Sequence, residues 1–484
     1  MQSLVPRLSL QLEGDFMKMV FLSVLAASFL TATTSYANDL LVKLASPVSA
    51  MKTATLMQQS GLKTEILTES WVRVQGNIQN SAFDNFMESS AVEYSQPNYK
   101  IKILENPNFN KLKQHYANSN SKLFPQAAVD NPALPDVPAI ESGADPLYNK
   151  QWGMKDIGTE IAWNINRGSN NIIVAVIDTG VDYTHEDLLP NIWRNTKEIP
   201  NNNIDDDKNG YVDDIIGWDF LSNDNKPYDL AATSIGELLN GGNPGHGTHC
   251  AGNVAAAGSN GKGISGVAPK AQIMVLRFIG NEGGTTADAI KAIHYAVDNG
   301  AKILSNSWGS EGEDPNEGTE NLALRESVNY AESKNVLFIA AAGNGHQGVG
   351  YNNDTDAKPG YPASYENDNI ISVAAVDSNN NLAGFSNWGV KSVDIGAPGV
   401  KVFSTTVGGN YSDTVIALLN ATWDGTSMAC PHVAGAAALY WSTHPEKSWQ
   451  EVKAALLNNA KRIPALEGKV SSGGKLNVEN LTRP

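Results

Sequence analysis

Five short apolar runs constrain the fold of this 484-residue chain more than any other feature: Ile172–Ile177, Ile273–Phe278, Lys302–Leu304, Val336–Ile339 and Ile370–Val376. Each is almost unbroken by polar residues, so both faces need cover, as in strands inside a parallel sheet. Segments of helical period lie between them. Ile290, Ile293 and Val297 recur at i, i+3 and i+7 and stop at Gly300, and Leu324, Val328 and Ala331 repeat a helical spacing before the run at Val336. Ser448 and Glu451 form a capping-box pair ahead of Val452, Ala455 and Leu456. The expectation is an α/β fold over residues 146–484, a mostly parallel sheet with helices on both faces. Its functional residues belong at the carboxyl ends of the strands.

The chain before residue 146 reads differently. Leu40–Leu44, Trp71–Val74, Val92–Tyr94 and Tyr99–Ile103 carry strand signals, and residues 50–60 and Phe83–Met87 carry helical ones. They suggest a small α+β unit over residues 38–104. Residues 105–145 are rich in Asn, Pro, Ser and Ala and read as a linker open to cleavage. Earlier still, Lys18 precedes an apolar stretch from Val20 to Ala32 and then the small residues Ser35 and Ala37. That is the pattern of a secretory signal cut after Ala37, with translation expected to begin at Met17 and residues 1–37 absent from the product. No later run reaches membrane-spanning length. With 35 basic against 51 acidic residues, a net charge of −16 disfavours nucleic acid or an anionic membrane as partner. Two cysteines exclude a disulfide-stapled scaffold and any four-thiolate metal site.

Three segments carry chemistry. Ala175–Asp182 (AVIDTGVD) ends an apolar strand at Asp178, which places a carboxylate at the sheet edge, largely buried and in need of a partner. Gly245–Gly252 (GHGTHCAG) reads as an exposed turn entering a helix of small residues at His246. Gly425–Gly435 (GTSMACPHVAG) reads as a helix opened by Ser427, whose early Pro431 is expected in the first turn, where amides lack helical partners. Taken jointly, a carboxylate, an imidazole and a hydroxyl supply an activated nucleophile. Serine is unreactive until a neutral imidazole takes its proton, and the carboxylate fixes the tautomer. An α/β-hydrolase elbow would need Gly two places after the serine, where Ala429 stands. A zinc reading of His246, His249 and Cys250 lacks the His-Glu-x-x-His pattern.

These segments resemble the motifs of subtilisin-like serine proteases, the subtilases, in the same order, over about residues 148–481. The resemblance implies a subtilisin-like fold and assigns Asp178 as orienting carboxylate, His246 as base then acid, and Ser427 as nucleophile. Asn344, in Ala340–Gly345 (AAAGNG), matches the side-chain oxyanion donor, which acts with the backbone N–H of Ser427. It also implies that peptides bind as an extended strand. Ser307, Trp308 and Gly309, with Ala341, Ala342 and Gly343, match the walls of the primary pocket, Gly360 matches its base, and Gly283 and Gly284 flank the edge strand. No acidic residue falls at the matched base, so a broad preference for a large apolar or aromatic residue before the scissile bond is expected; Asp354 and Asp356 lie in the loop nearby. Residues 38–104 resemble a ferredoxin-like propeptide that assists folding and inhibits the enzyme, with self-cleavage within 105–147. The implied product is a secreted monomeric endopeptidase acting on proteins and peptides.

Calcium is expected at two places. Asp205, Asp207 and Asn209 alternate before Gly210, with Tyr211 and Asp214 in the same loop, and so gather hard oxygens as EF-hand loops do, although Ile216 stands where the closing Glu would be. By resemblance, Gln151, Asp187 and Asn260 form the family's strong calcium site. Cys250 and Cys430 read either as two small buried residues or as a pair that export would permit to bond.

Overall fold

The computed structural model describes residues 38–45, 61–76, 81–123, 133–136, 142–312 and 321–483. The signal segment and the helical pattern at 50–60 lie outside them. Contacts divide the chain into two compact units, 1–98 and 99–484.

In the first unit a four-stranded antiparallel sheet runs in the order Lys63–Ile66, Trp71–Gln75, Asp39–Leu44, Val92–Pro97. Val42, Leu44, Val72 and Val74 bury one face with Phe83, which comes from the helix Ser81–Met87. Arg73 holds Asp39 through two hydrogen bonds of 2.8 and 2.6 Å. Lys63–Ile66 (KTEI) escapes sequence reading because it is short, polar and at the sheet edge.

The second unit is built on a nine-stranded sheet. Its order is Lys461–Arg462, Gly474–Lys475, Ile395–Pro398, Ile370–Val376, Leu337–Ala341, Ile303–Asn306, Ile173–Asp178, Gln272–Arg277, Gly217–Asp219. Every neighbouring pair is parallel except the first. Alternate residues of the strand Ile173–Asp178 serve two cores, as the pleat requires. Val174 and Val176 pack with the helices His246–Ala255 and Thr426–Trp441, while Ala175 and Ile177 pack with Thr286–Asp298 and Leu322–Ser333. All five expected runs are strands. Gly217–Asp219 and Ile395–Pro398 are additional, too short or too rich in Gly and Pro to show a β-branched run.

A small antiparallel sheet lies in the same unit, in the order Gly360–Tyr361, Trp308–Glu311, Lys100–Ile103, Gly284–Thr285. The strand expected at Tyr99–Ile103 therefore pairs with the second unit's elements. The chain after it stays docked. Asn106 Nδ2 donates to the Thr422 carbonyl (2.8 Å) and Asn108 Nδ2 to Asp424 (2.9 Å). Phe109 is buried with Ile235, Leu238, Leu239 and Met428. Gly236 permits the closest approach, since a Cβ there would lie 2.7 Å from the Ser119 carbonyl.

Candidate active site

Asp178 is the last residue of the strand Ile173–Asp178 and is fully buried. His246 opens its helix, which can approach the strand end because position 247 is glycine: a Cβ there would stand 2.1 Å from the Gly180 carbonyl. The result is a bond of 2.8 Å between His246 Nδ1 and Asp178 Oδ1, which also accepts from the Thr179 N–H at 2.7 Å. A carboxylate only accepts, so the proton sits on Nδ1 and the lone pair on Nε2. Nε2 is buried and has no hydrogen-bond partner among the described residues. The turn before His246 is buried, not exposed as expected. Asn243 folds it inward, accepting from the N–H groups of Gly245 (2.9 Å) and His246 (3.0 Å) while donating to Asp229.

Asp229, which no motif marks, ties these parts together. Its carboxylate accepts from Thr179 Oγ1 (2.9 Å), Asn243 Nδ2 (2.6 Å), and the N–H (2.9 Å) and hydroxyl (2.6 Å) of Thr248. Burial raises its pKa to about 6 against the pull of those donors. An isosteric amide would turn an NH₂ against donors on one side. Asp229→Asn is therefore expected to cost about 2–4 kcal/mol, read as a lower denaturant midpoint at unchanged slope.

The other histidines on these helices are core groups. His249 stacks on Trp423 at 4.2 Å and donates from Nε2 to the Val402 carbonyl (3.0 Å); burial lowers its pKa to about 3. His432 donates from Nδ1 to Met428 (2.8 Å), and burial lowers its pKa to about 4.

Ser427 is the second residue of its helix and is 1% exposed. Pro431 lies in the second turn, not the first as expected, and removes the N–H that would bond the Ser427 carbonyl. That carbonyl instead accepts from Ser307 Oγ (2.9 Å) and the Cys250 thiol (3.4 Å), whose Sγ lies 3.9 Å from His246 Nδ1. One thiol thus touches both the imidazole and the serine's backbone. Burial holds it far above the ordinary thiol range, so it acts as a protonated donor. Cys250 and Cys430 are free. Ser427 Oγ itself donates to the Ser307 carbonyl at 3.1 Å.

Asn344 follows the strand Leu337–Ala341. Its Oδ1 accepts from the N–H (2.8 Å) and hydroxyl (2.9 Å) of Thr426. A backbone N–H can face only the oxygen, so the NH₂ is turned the other way. There Nδ2 donates to the carbonyl of Glu105 at 3.0 Å. Lys102 pairs with Gly309 and Ile103 with Trp308 on one side; Lys100 and Ile101 pair with Thr285 and Gly284 on the other. Gly283 permits this, as a Cβ there would lie 2.7 Å from the Ile101 carbonyl.

Gly309, Gly343, Asn344 and Gly360 line one cavity of about 330 Å³. Leu104, Glu105, Tyr351 and Asn387 also line it, but at two of its glycines no side chain fits: a Cβ on Gly343 would meet Asn387 at 2.4 Å and one on Gly360 the Ala342 carbonyl at 2.7 Å. Ser307, Trp308, Ala341 and Ala342 are buried behind it. Asp354 turns away to accept from the N–H groups of Lys391 and Ser392. Glu311, absent from the sequence reading, also lines the cavity.

In the acidic loop, carboxylate oxygens of Asp205, Asp207 and Glu198 lie within 4.8 Å of one another. Glu198 supplies the acid that Ile216 cannot; it sits upstream of the loop, where no spacing marks it. Asp214 stands behind, accepting from Asn195 (2.9 Å), Asn209 (2.8 Å) and the Tyr295 hydroxyl, and burial raises its pKa. The Tyr211 ring packs on Trp218, Phe220 and Tyr295. At the second place Asn260 donates to Asp187 (2.9 Å), while the Gln151 amide bonds Ser265 in both directions. Asp145, also unforeseen, accepts from the N–H groups of Ser259 and Asn260.

Residues 169–480 match the sequence model described as "Subtilase family". The chain is 37% identical over 331 residues to a thermophilic serine proteinase of Bacillus sp. (strain AK1), covering 68% of this chain and 66% of that one. It is 36% identical to thermitase of Thermoactinomyces vulgaris over 336 residues, 69% of this chain and 96% of thermitase. The crystal structure of fervidolysin from Fervidobacterium pennivorans, a keratinolytic enzyme related to subtilisin, superposes with a TM-score of 0.63 at 26% identity, covering 92% of this chain and 61% of that one.

Proposed function

This chain belongs to the subtilase family and is a serine endopeptidase acting on proteins; on that premise we propose which residues act and how the active form arises. Asp178 orients His246, His246 Nε2 takes the Ser427 proton, and Oγ attacks the peptide carbonyl carbon. His246 then passes the proton to the leaving amine as the C–N bond breaks, and water hydrolyses the resulting ester by the same route. Asn344 Nδ2 and the Ser427 N–H stabilise the oxyanion. A glycine-walled pocket without an acid at its base favours a large apolar or aromatic residue before the scissile bond of other substrates; Glu105, which precedes the bond in the chain's own docked segment, differs and is paired with Lys113.

We further propose that the chain is secreted after loss of residues 1–37, with residues 38–104 as inhibitory propeptide, 105–145 as linker and 146–484 as a monomeric peptidase domain. The observation that carries the zymogen reading is the bond from Asn344 Nδ2 to the Glu105 carbonyl, two residues past a strand held between two cleft edges. On this reading the first self-cleavage falls between Glu105 and Asn106. Mass mapping of the expressed full chain should find Asn106 as the earliest new N-terminus within the linker region. An earliest cut elsewhere, with Glu105–Asn106 intact, would overturn this placement.

Glu198, Asp205 and Asp207 offer the hard oxygen donors that suit calcium, and Gln151, Asp187 and Asn260 would form a second set, the Gln151 amide being held by Ser265. Like-charged carboxylates held this close repel unless a cation sits among them. Chelation is therefore expected to lower the melting temperature by about 5 °C or more, restored by added calcium. An unchanged melting curve would remove both sites.

A further inference from the structure

The cavity beside Asn344 has a charged rim that the catalytic chemistry does not use. Glu311 lines it from the end of the strand Trp308–Glu311. His346 bonds Glu311 through Nδ1 (2.9 Å) and Asp356 through Nε2 (3.2 Å), and stacks on Tyr351, which also lines the cavity, at 4.0 Å. We propose that Glu311 is a specificity-determining residue that lets this pocket hold a lysine or arginine before the scissile bond, and that His346 gates it by competing for the same carboxylate. The inference rests on the endopeptidase reading and adds a second, switchable class of substrate to the apolar one.

The geometry carries it. The walls at Gly309, Gly343 and Gly360 have no side chains, so the methylene stem of a lysine can lie along them beside the Tyr351 ring, with its ammonium at the rim. Both contacts of His346 require an N–H, because a carboxylate only accepts, so the two together need the imidazolium. A neutral imidazole has one N–H and must release one carboxylate. The charged rim then passes from net −1 to net −2, with the Glu311 side chain half exposed. Other groups facing His346 do not change this. Tyr351, with its pKa pushed up to about 12, stays neutral; Lys358 meets Asp356 only through its backbone N–H. Glu105, just past the docked strand, also lines the cavity in the intact chain, where it is paired with Lys113; in the matured enzyme it leaves with the propeptide. Partial burial pulls the His346 pKa down, but its two carboxylate bonds outweigh that and leave it above the ordinary imidazole value. The gate therefore closes on Glu311 at low pH and opens as pH rises past that value.

The test uses enzyme matured from the full chain and two peptides differing only in lysine or leucine before the scissile bond. The ratio of their kcat/KM values cancels titration of the catalytic histidine, and the substrate lysine stays charged throughout. The lysine-to-leucine ratio is expected to rise three- to tenfold between pH 5.5 and 9. Glu311→Gln should lower the ratio and flatten it; His346→Gln should flatten it at the high-pH value. A flat ratio in the native enzyme, or a pH dependence that survives Glu311→Gln, would overturn the proposal. If the leucine peptide is not cleaved at all, the endopeptidase reading beneath it falls first.

Discussion

Ser427→Ala is expected to keep the linker uncut at Glu105–Asn106 and to lower peptide turnover by about 10⁶-fold, the loss seen when subtilisin itself is stripped of its nucleophile. The size follows from cooperation. Without Oγ there is no proton for His246 Nε2 to take, and the Asp178–His246 bond of 2.8 Å orients a base with nothing to activate. Folding should be little disturbed: the Ser427 carbonyl keeps its contacts with Ser307 and Cys250, and only the Oγ bond to the Ser307 carbonyl is lost. Intact mass and a fluorophosphonate label read the two effects separately. A variant that still processed itself between Glu105 and Asn106 would mean that another group performs the attack.

Asn344→Ala should lower kcat by about 10²–10³, the range measured for the oxyanion amide of subtilisin, with KM changed far less. The reason lies in how the amide is held. Thr426 occupies Oδ1 twice, at 2.8 and 2.9 Å, so Nδ2 faces the cleft before any substrate arrives and need not reorganise. Asn344→Asp separates the two ends of the group. It keeps an oxygen for Thr426 but presents an acceptor to the developing oxyanion, and should be at least as damaging as alanine. A rise in KM at constant kcat for both variants would assign Asn344 to ground-state binding instead.

The parallel sheet and its helices were legible because continuous apolar runs and 3.6-residue periods follow directly from burial on two faces. Asp178, His246, Asn344 and Ser427 were named through the resemblance of their segments to the subtilase motifs, not from spacing alone; the small residues around them, such as Gly247, are what close backbone approach demands. Other groups left no such trace. Asp229, Glu198 and Glu311 act through partners that no local motif spacing marks, and a single acid outside a motif carries no signal of its own. Pro431 was legible as a residue and not as a device: its helical place suggested tolerance, whereas its effect is to free the Ser427 carbonyl for Cys250 and Ser307. The strand at Lys100–Ile103 was visible as a strand, but pairing partners cannot be read from alternation alone.

The moorings on either side of Glu105–Asn106 have a consequence for timing. Severing that one bond leaves Lys100–Ile103 laced between two edges, and leaves Asn106, Asn108 and Phe109 fastened to a different face. Neither severed end is free to drift off at the moment of scission. Working molecules should therefore appear after a lag governed by unlacing, so that mild warming or dilute denaturant would shorten the delay while leaving the speed of the first cut nearly unchanged.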